Sequence, residues 1–265
     1  MTAAGNAGGT APFAAGRPSR GKWFRNFGAR PSASVRLFCF PYAGGGTSAY
    51  TPWERLAPAW IEVCPVQLPG REGRFAERPF DRLHGLLADL WPDFSTVFDK
   101  PYALFGHSMG ALIAFELARK LRRANAPDPV ALLVSGALAP HRRGGRQPLH
   151  TLHDDALLER LHSFRGVPPE LLQDPSFVAV LMPVIRSDFA VVDTYEYVPE
   201  PRLSIPIHAF GGVEDRDAPS GELPFWSEQT SSAFSLQTYQ GGHFFIRTEA
   251  PALIKVICDR IEHHR

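Results

Sequence analysis

The stretch Tyr102–Leu121, YALFGHSMGALIAFELARKL, runs from apolar and aromatic residues through a Gly-x-Ser-x-Gly pentapeptide into an amphipathic repeat. The spacing predicts a strand at its start, a helix from Met109 to about Ala124, and a sharp turn between them. In that setting Ser108 projects its hydroxyl above the carboxyl edge of a sheet. Gly106 and Gly110 are needed because a side chain at either would strike the turn or the adjoining strand. Met109 opens the helix, so its N–H is one of the unpaired donors of a helix start and faces the place where negative charge would develop on a substrate oxygen. Ser108 is thus the candidate nucleophile and Met109 a candidate oxyanion donor. His107 reads as a packing or lining residue.

Outward from this stretch, strand-like and helix-like segments alternate. VRLFCFPY (35–42), IEVCPVQLPG (61–70), VALLVSG (130–136), IPIHAFGG (205–212) and FSLQTYQGG (234–242) are apolar runs ending in turn residues. RPFDRLHGLLADLWPDF (78–94) and PALIKVICDRIEHH (251–264) carry helical spacing. Buried runs separated by helices predict an α/β fold with a mostly parallel sheet covered on both faces.

A serine hydroxyl is a weak nucleophile until a base takes its proton, and the base needs an acid to hold its tautomer. Both are sought at later strand ends, in the chain order Ser, Asp, His. HAFGGVEDRDAP (208–219) offers Glu214, Asp215 and Asp217, and YQGGHFF (239–245) offers His243 after two glycines. Asp215 is favoured because it lies three residues after Gly212, whereas Asp217 precedes Ala-Pro and suits capping or solvating the loop. Of the ten histidines, His208 lies inside an apolar strand and reads as a core residue, His84 sits on a helix before the turn, and only His243 is at a strand end in the required order. At FPYAGGGTSAY (40–50), glycines follow the first strand, and Ala43 is the candidate second oxyanion donor. The same glycines make a poor phosphate cradle: no Lys-Ser/Thr follows and dinucleotide spacing is missing.

Totals narrow the class further. A chain of 265 residues with 44% hydrophobic residues can bury a large core. With 28 Lys+Arg against 27 Asp+Glu and no long basic block after residue 30, a nucleic-acid partner is not expected. Cys39, Cys64 and Cys258 lack metal-ligand spacing and read as reduced core thiols, so no metal site is expected. No run approaches the roughly 20 apolar residues of a bilayer span, nor do the first 30 residues hold a secretory apolar block, so no membrane partner and a cytoplasmic location are expected. Residues 1–21, rich in Gly, Ala and Pro with no acid, are expected to be a disordered tail. One domain is expected over 22–265.

WFRNF, LFCFPYAGGG, VQLPGREGRF, LFGHSMGALIAFELA, LLVSGALAP, LMPVIRSDF and QGGHFF together resemble the type II thioesterases of polyketide and nonribosomal peptide assembly lines, from about Lys22 to the end. The resemblance implies an α/β-hydrolase fold and hydrolysis of acyl thioesters from the phosphopantetheine arms of acyl or peptidyl carrier domains, removing stalled or aberrant acyl groups. It implies no cofactor beyond the arm carried by the partner. Residue by residue it places the nucleophile at Ser108, acid at Asp215, base at His243 and oxyanion donors at Ala43 and Met109. Chain-terminating relatives often take the acid from an earlier strand; here no Asp or Glu follows VALLVSG until Asp154, which excludes that location.

Residues from about 149 to 200 carry interrupted helical spacing between two strands and would overhang the active edge. The resemblance favours a lid lining an acyl channel, with Met182, Phe189 and Val192 in reach of an acyl group, over ordinary helical packing. Two other functions fit the residues: a carboxylesterase or lipase using the same triad on oxygen esters, and a catalytically silent carrier-binding module.

Overall fold

The computed structural model describes residues 21–145 and 147–264. The tail expected over 1–21 therefore lies outside the described residues, apart from Gly21. Six strands, β1 (Val35–Phe40), β2 (Ile61–Pro65), β3 (Tyr102–His107), β4 (Leu132–Ser135), β5 (Ile207–Gly212) and β6 (Phe234–Tyr239), form one sheet in the order β2-β1-β3-β4-β5-β6. Every neighbouring pair is parallel. The fold is that of an α/β hydrolase.

Helices α1 (Thr51–Leu56), α2 (Leu83–Phe94), α3 (Met109–Arg123), α4 (Asp154–Phe164), α5 (Pro169–Leu172), α6 (Pro175–Asp193), α7 (Phe245–Thr248) and α8 (Ala250–His264) fill the connections. Successive strand residues point to opposite faces, and the sheet divides its side chains accordingly. Phe38, Leu104 and Val134 join a core with α2 and α3, whereas Leu37, Cys39 and Phe105 join a second core with α1 and α8. Strands β1 to β5 are buried throughout because both faces are covered. Edge strand β6 is only partly buried. Cys39, Cys64 and Cys258 are free and buried, and burial pushes their thiol pKa values up, that of Cys258 to about 12.

The N-terminal WFRNF segment packs inside: Trp23, Phe24 and Phe27 are buried, and Phe24 bridges Val66. Helix α1 is too short for its periodicity to register, and the 3-10 run Ser220–Gln229 is organised by tertiary contact, its buried Trp226 donating to the Ala137 carbonyl at 2.8 Å.

Between β4 and β5, helices α4, α5 and α6 form an insert with a small core of its own, including Leu157, Leu161, Leu172, Met182 and Ile185. Helix α6 is the one described element with the length and apolarity of a membrane span, at mean hydropathy 1.5. Its apolar run is broken by Arg186 and by Asp188, which is 3% exposed.

Candidate active site

The sheet order reverses direction between β1 and β3: the chain goes from β1 outward to β2, then returns to β3 and continues the other way. Open α/β sheets bind ligands in the crevice outside the strand ends at such a point. The loops carrying Ala43 and Ser108 flank it.

Ser108 sits at φ 56, ψ −115, between β3 and α3. A non-glycine residue there costs about 1–3 kcal/mol and persists only where its surroundings enforce it. Enforcement comes from backbone contacts. A Cβ on Gly106 would lie 2.0 Å from the Gly110 carbonyl oxygen, and a Cβ on Gly110 would lie 2.0 Å from the Phe40 carbonyl oxygen of β1. The Ser108 N–H donates to the Ser135 carbonyl of β4 at 2.8 Å.

The other two predicted residues converge on this hydroxyl. His243 Nε2 lies 3.0 Å from Ser108 Oγ, and its Nδ1 lies 2.8 Å from Asp215 Oδ2. Asp215 follows β5 and His243 follows β6. Their loops are pressed together so closely that a Cβ on Gly212 would lie 2.4 Å from the Gly242 carbonyl oxygen. The Asp215 side chain is fully buried. Burial works to raise its pKa, yet the His243 bond and the Ala218 and Asp217 N–H groups on Oδ1 outweigh it and hold the carboxyl below its usual value. An ionised carboxylate only accepts, so Nδ1 carries the imidazole proton and the Nε2 lone pair faces the serine hydroxyl.

Asp217 differs from the expectation of a solvated cap. Its carboxylate pairs with Arg160 of α4 and so ties the acid loop to the insert. His107 is fully buried behind His243, its Nδ1 2.9 Å from Ser135 Oγ, and burial, reinforced by the charge of His243, drives its pKa well below the usual value. It remains neutral and adds no second positive charge beside the base. His208 is a core residue, 2% exposed, with Nδ1 2.7 Å from Ser235 Oγ.

In the loop after β1, the Gly44 N–H donates to Asp188 Oδ2 at 2.7 Å, Gly45 to the Tyr42 carbonyl, and Thr47 and Ser48 to the Glu72 carboxylate. The Ala43 N–H is engaged in none of these bonds, and Ala43 lines the cavity beside Ser108. Arg71, Glu72 and Asp188, which hold this loop, went unassigned in the sequence reading. The adjacent Arg-Glu of LPGRE was the available signal for two of them, and LMPVIRSDF, which contains Asp188, for the third.

A thioesterase domain family matches residues 35–261. The chain belongs to the thioesterase family. It is 41% identical over 240 residues to the gramicidin S biosynthesis protein GrsT of Aneurinibacillus migulanus, covering 91% of this chain and 94% of that one. It is 35% identical over 243 residues to the thioesterase PikA5 of Streptomyces venezuelae, covering 91% and 86%. Among solved structures, the type II thioesterase BorB from the borrelidin biosynthetic cluster superposes with a TM-score of 0.82 at 38% identity, covering 90% of this chain and 97% of that one.

Two cavities of this thioesterase meet at Ser108 and His243. One, of about 230 Å³, is lined mainly by apolar side chains, among them Leu161, Phe164, Ile185, Phe189 and Phe244. The other, of about 720 Å³, is more polar and includes Arg143, Gln147, Arg160, Asp193 and Arg216. Of the three insert residues expected near an acyl group, Phe189 lines both cavities and Val192 the polar one. Met182 lines neither, because it faces the insert's own core.

Among the described residues, one group of imidazole and carboxylate atoms is compact enough to share a cation: Asp215, Asp217 and His243, within 4.8 Å of one another. Its members are committed to protein partners, Asp215 to His243 and two N–H groups, Asp217 to Arg160. Of the three, only His243 reaches Ser108 Oγ, at 3.0 Å.

Proposed function

We propose that this chain is a stand-alone, cytoplasmic thioesterase that hydrolyses acyl groups from the phosphopantetheine arms of acyl or peptidyl carrier domains, clearing stalled or aberrant units from polyketide or nonribosomal peptide synthesis. The observation that carries the reading is the meeting of the apolar and polar cavities at Ser108 Oγ. A thioester bound there lays its acyl group against Phe164 and Phe189 and its long polar arm in the groove beside Gln147 and Arg216. The likeness to GrsT, PikA5 and BorB supports the carrier-bound substrate.

The reaction runs in two halves. Ser108 Oγ attacks the thioester carbonyl as His243 Nε2 takes its proton, and Asp215 stabilises the imidazolium that forms. The Ala43 and Met109 N–H groups receive the developing oxyanion. The tetrahedral intermediate collapses with loss of the pantetheine thiolate, which takes the proton from His243. Water, deprotonated by His243, then attacks the acyl-serine, and the carboxylic acid leaves as Ser108 is reprotonated. No step uses a cofactor or a metal.

The test is intact-mass measurement of carrier domains loaded with acetyl, propionyl, longer acyl and aminoacyl groups, before and after exposure to the enzyme. Loss of the acyl mass with wild type and its retention with Ser108→Ala is the expected result. Strong preference for p-nitrophenyl esters over acyl-pantetheine analogues of equal chain length would make it an oxygen esterase. Binding of loaded carriers with the thioester left intact would make it a silent carrier-binding module.

A further inference from the structure

Helix α6 does more than roof the apolar cavity. Its residues Leu181, Ile185 and Asp188 recur at helical spacing on one face, and that face lies on the loop carrying Ala43. Gly44 stands at φ +74, and a Cβ there would lie 2.4 Å from Ile185 Cδ1 and 3.8 Å from Leu181 Cδ1. Asp188 Oδ2 accepts the Gly44 N–H at 2.7 Å. The same carboxylate takes a two-pronged bond from Arg71, at 2.5 and 2.8 Å, and Arg71 Nη1 also donates to the Gly45 carbonyl at 3.2 Å. Both side chains are almost fully buried, 8% and 4% exposed, and neither lines either cavity.

An ion pair in such a place is weak evidence for stability, because desolvating two charges offsets most of their attraction. Its geometry instead points to a role in the reaction. One carboxylate and one guanidinium grip the peptide groups that immediately follow Ala43. Oxyanion stabilisation depends on a donor already aimed where charge will appear. We propose that Asp188, aided by Arg71, is a positioning residue that aims the Ala43 N–H, so that the oxyanion site is complete only when α6 is seated on the loop. The proposal rests on the thioesterase reading above. It makes the wall of the acyl cavity and the aim of the donor two properties of one helix, linking how an acyl group fits to how fast it is released.

The test compares wild type, Asp188→Ala and the paired variant Asp188→Leu/Arg71→Met on acyl-N-acetylcysteamine thioesters. A trifluoromethyl ketone analogue, which forms a tetrahedral adduct on Ser108, serves as the second probe. The paired variant removes both buried charges together, so the fold is retained while Gly44 loses its acceptor. The expected result is a kcat lower by about 10- to 100-fold, an equal loss of affinity for the ketone, and a KM within about 3-fold of wild type. Wild-type kcat in the paired variant, or a raised KM with kcat retained, overturns the proposal, since it would reduce the pair to charge compensation or cavity support. Should the paired variant not fold, Asp188→Ala, which also leaves the Gly44 N–H without its acceptor, assayed well below its own melting midpoint gives the same readout, and wild-type kcat there overturns the proposal equally. Inactivity of wild type on every thioester would instead sink the functional reading itself.

Discussion

The turn at Ser108 and the loop at Ala43 carry the two N–H groups proposed to receive the oxyanion, yet they are held by opposite means. The first is enforced by backbone against backbone, with Gly106 and Gly110 each leaving no room for a methyl group. The second is held by charge: the Glu72 carboxylate takes two N–H groups on one side, and Asp188 takes the Gly44 N–H on the other. A steric restraint is local and all-or-none, whereas an electrostatic one is built from distant side chains and can be graded.

The sharpest break in this comparison is at the hydroxyl. Ser108→Ala should lower kcat/KM on acyl thioesters by on the order of 10⁴- to 10⁶-fold with an unchanged melting midpoint, read by thiol release and thermal unfolding. Next comes Asp215→Asn, expected to cost about 10⁴-fold because it strands His243 in the wrong tautomer, while Asp217→Asn should cost less than about 10-fold. Near-equal losses in the two variants would mean that the acid has been misassigned.

On the steric side, Gly110→Ala must push the β1 backbone away and should destabilise the fold by about 3 kcal/mol, seen in urea unfolding. The electrostatic side should yield by degrees. Glu72→Gln is expected to lower kcat by about 3- to 10-fold while leaving the fold intact. Burial works to raise the Glu72 pKa, but bonds from Ser48 and Thr47 hold the carboxyl below its usual value. A carboxyl with a depressed folded pKa contributes stability that is present above the unfolded value and lost as pH falls through the folded one. Wild type should therefore lose stability below about pH 4.5 more steeply than Glu72→Gln. Parallel melting curves for the two proteins across that window would show that Glu72 does not act through its charge.

The same contrast explains what was legible in the sequence. Gly-x-Ser-x-Gly announces its turn because every atom that enforces it lies within a few residues or on the neighbouring strand. Asp215 and His243 were readable because a parallel sheet delivers successive strand ends to one edge, so chain order stands in for geometry. Asp217 was misjudged because its partner, Arg160, lies 57 residues away in the insert. The restraints on the Ala43 loop were hidden for the same reason: Glu72 is 25 residues from Thr47, and Asp188 is 144 from Gly44. Helical spacing showed that α6 would be amphipathic; it did not show that one polar residue on the face would reach back across the sheet.

The burial of the cysteines bears on what each turnover leaves behind. Hydrolysis of a pantetheine thioester liberates a free thiol, a reagent for exchange with any reactive sulfur nearby. Cys39 and Cys64 are wholly enclosed and Cys258 nearly so, and all three are held in the protonated form that neither attacks acyl groups nor enters mixed disulfides. The protein thus handles sulfur-linked cargo without offering a sulfur of its own as a competing acceptor, and the acyl group passes to oxygen alone.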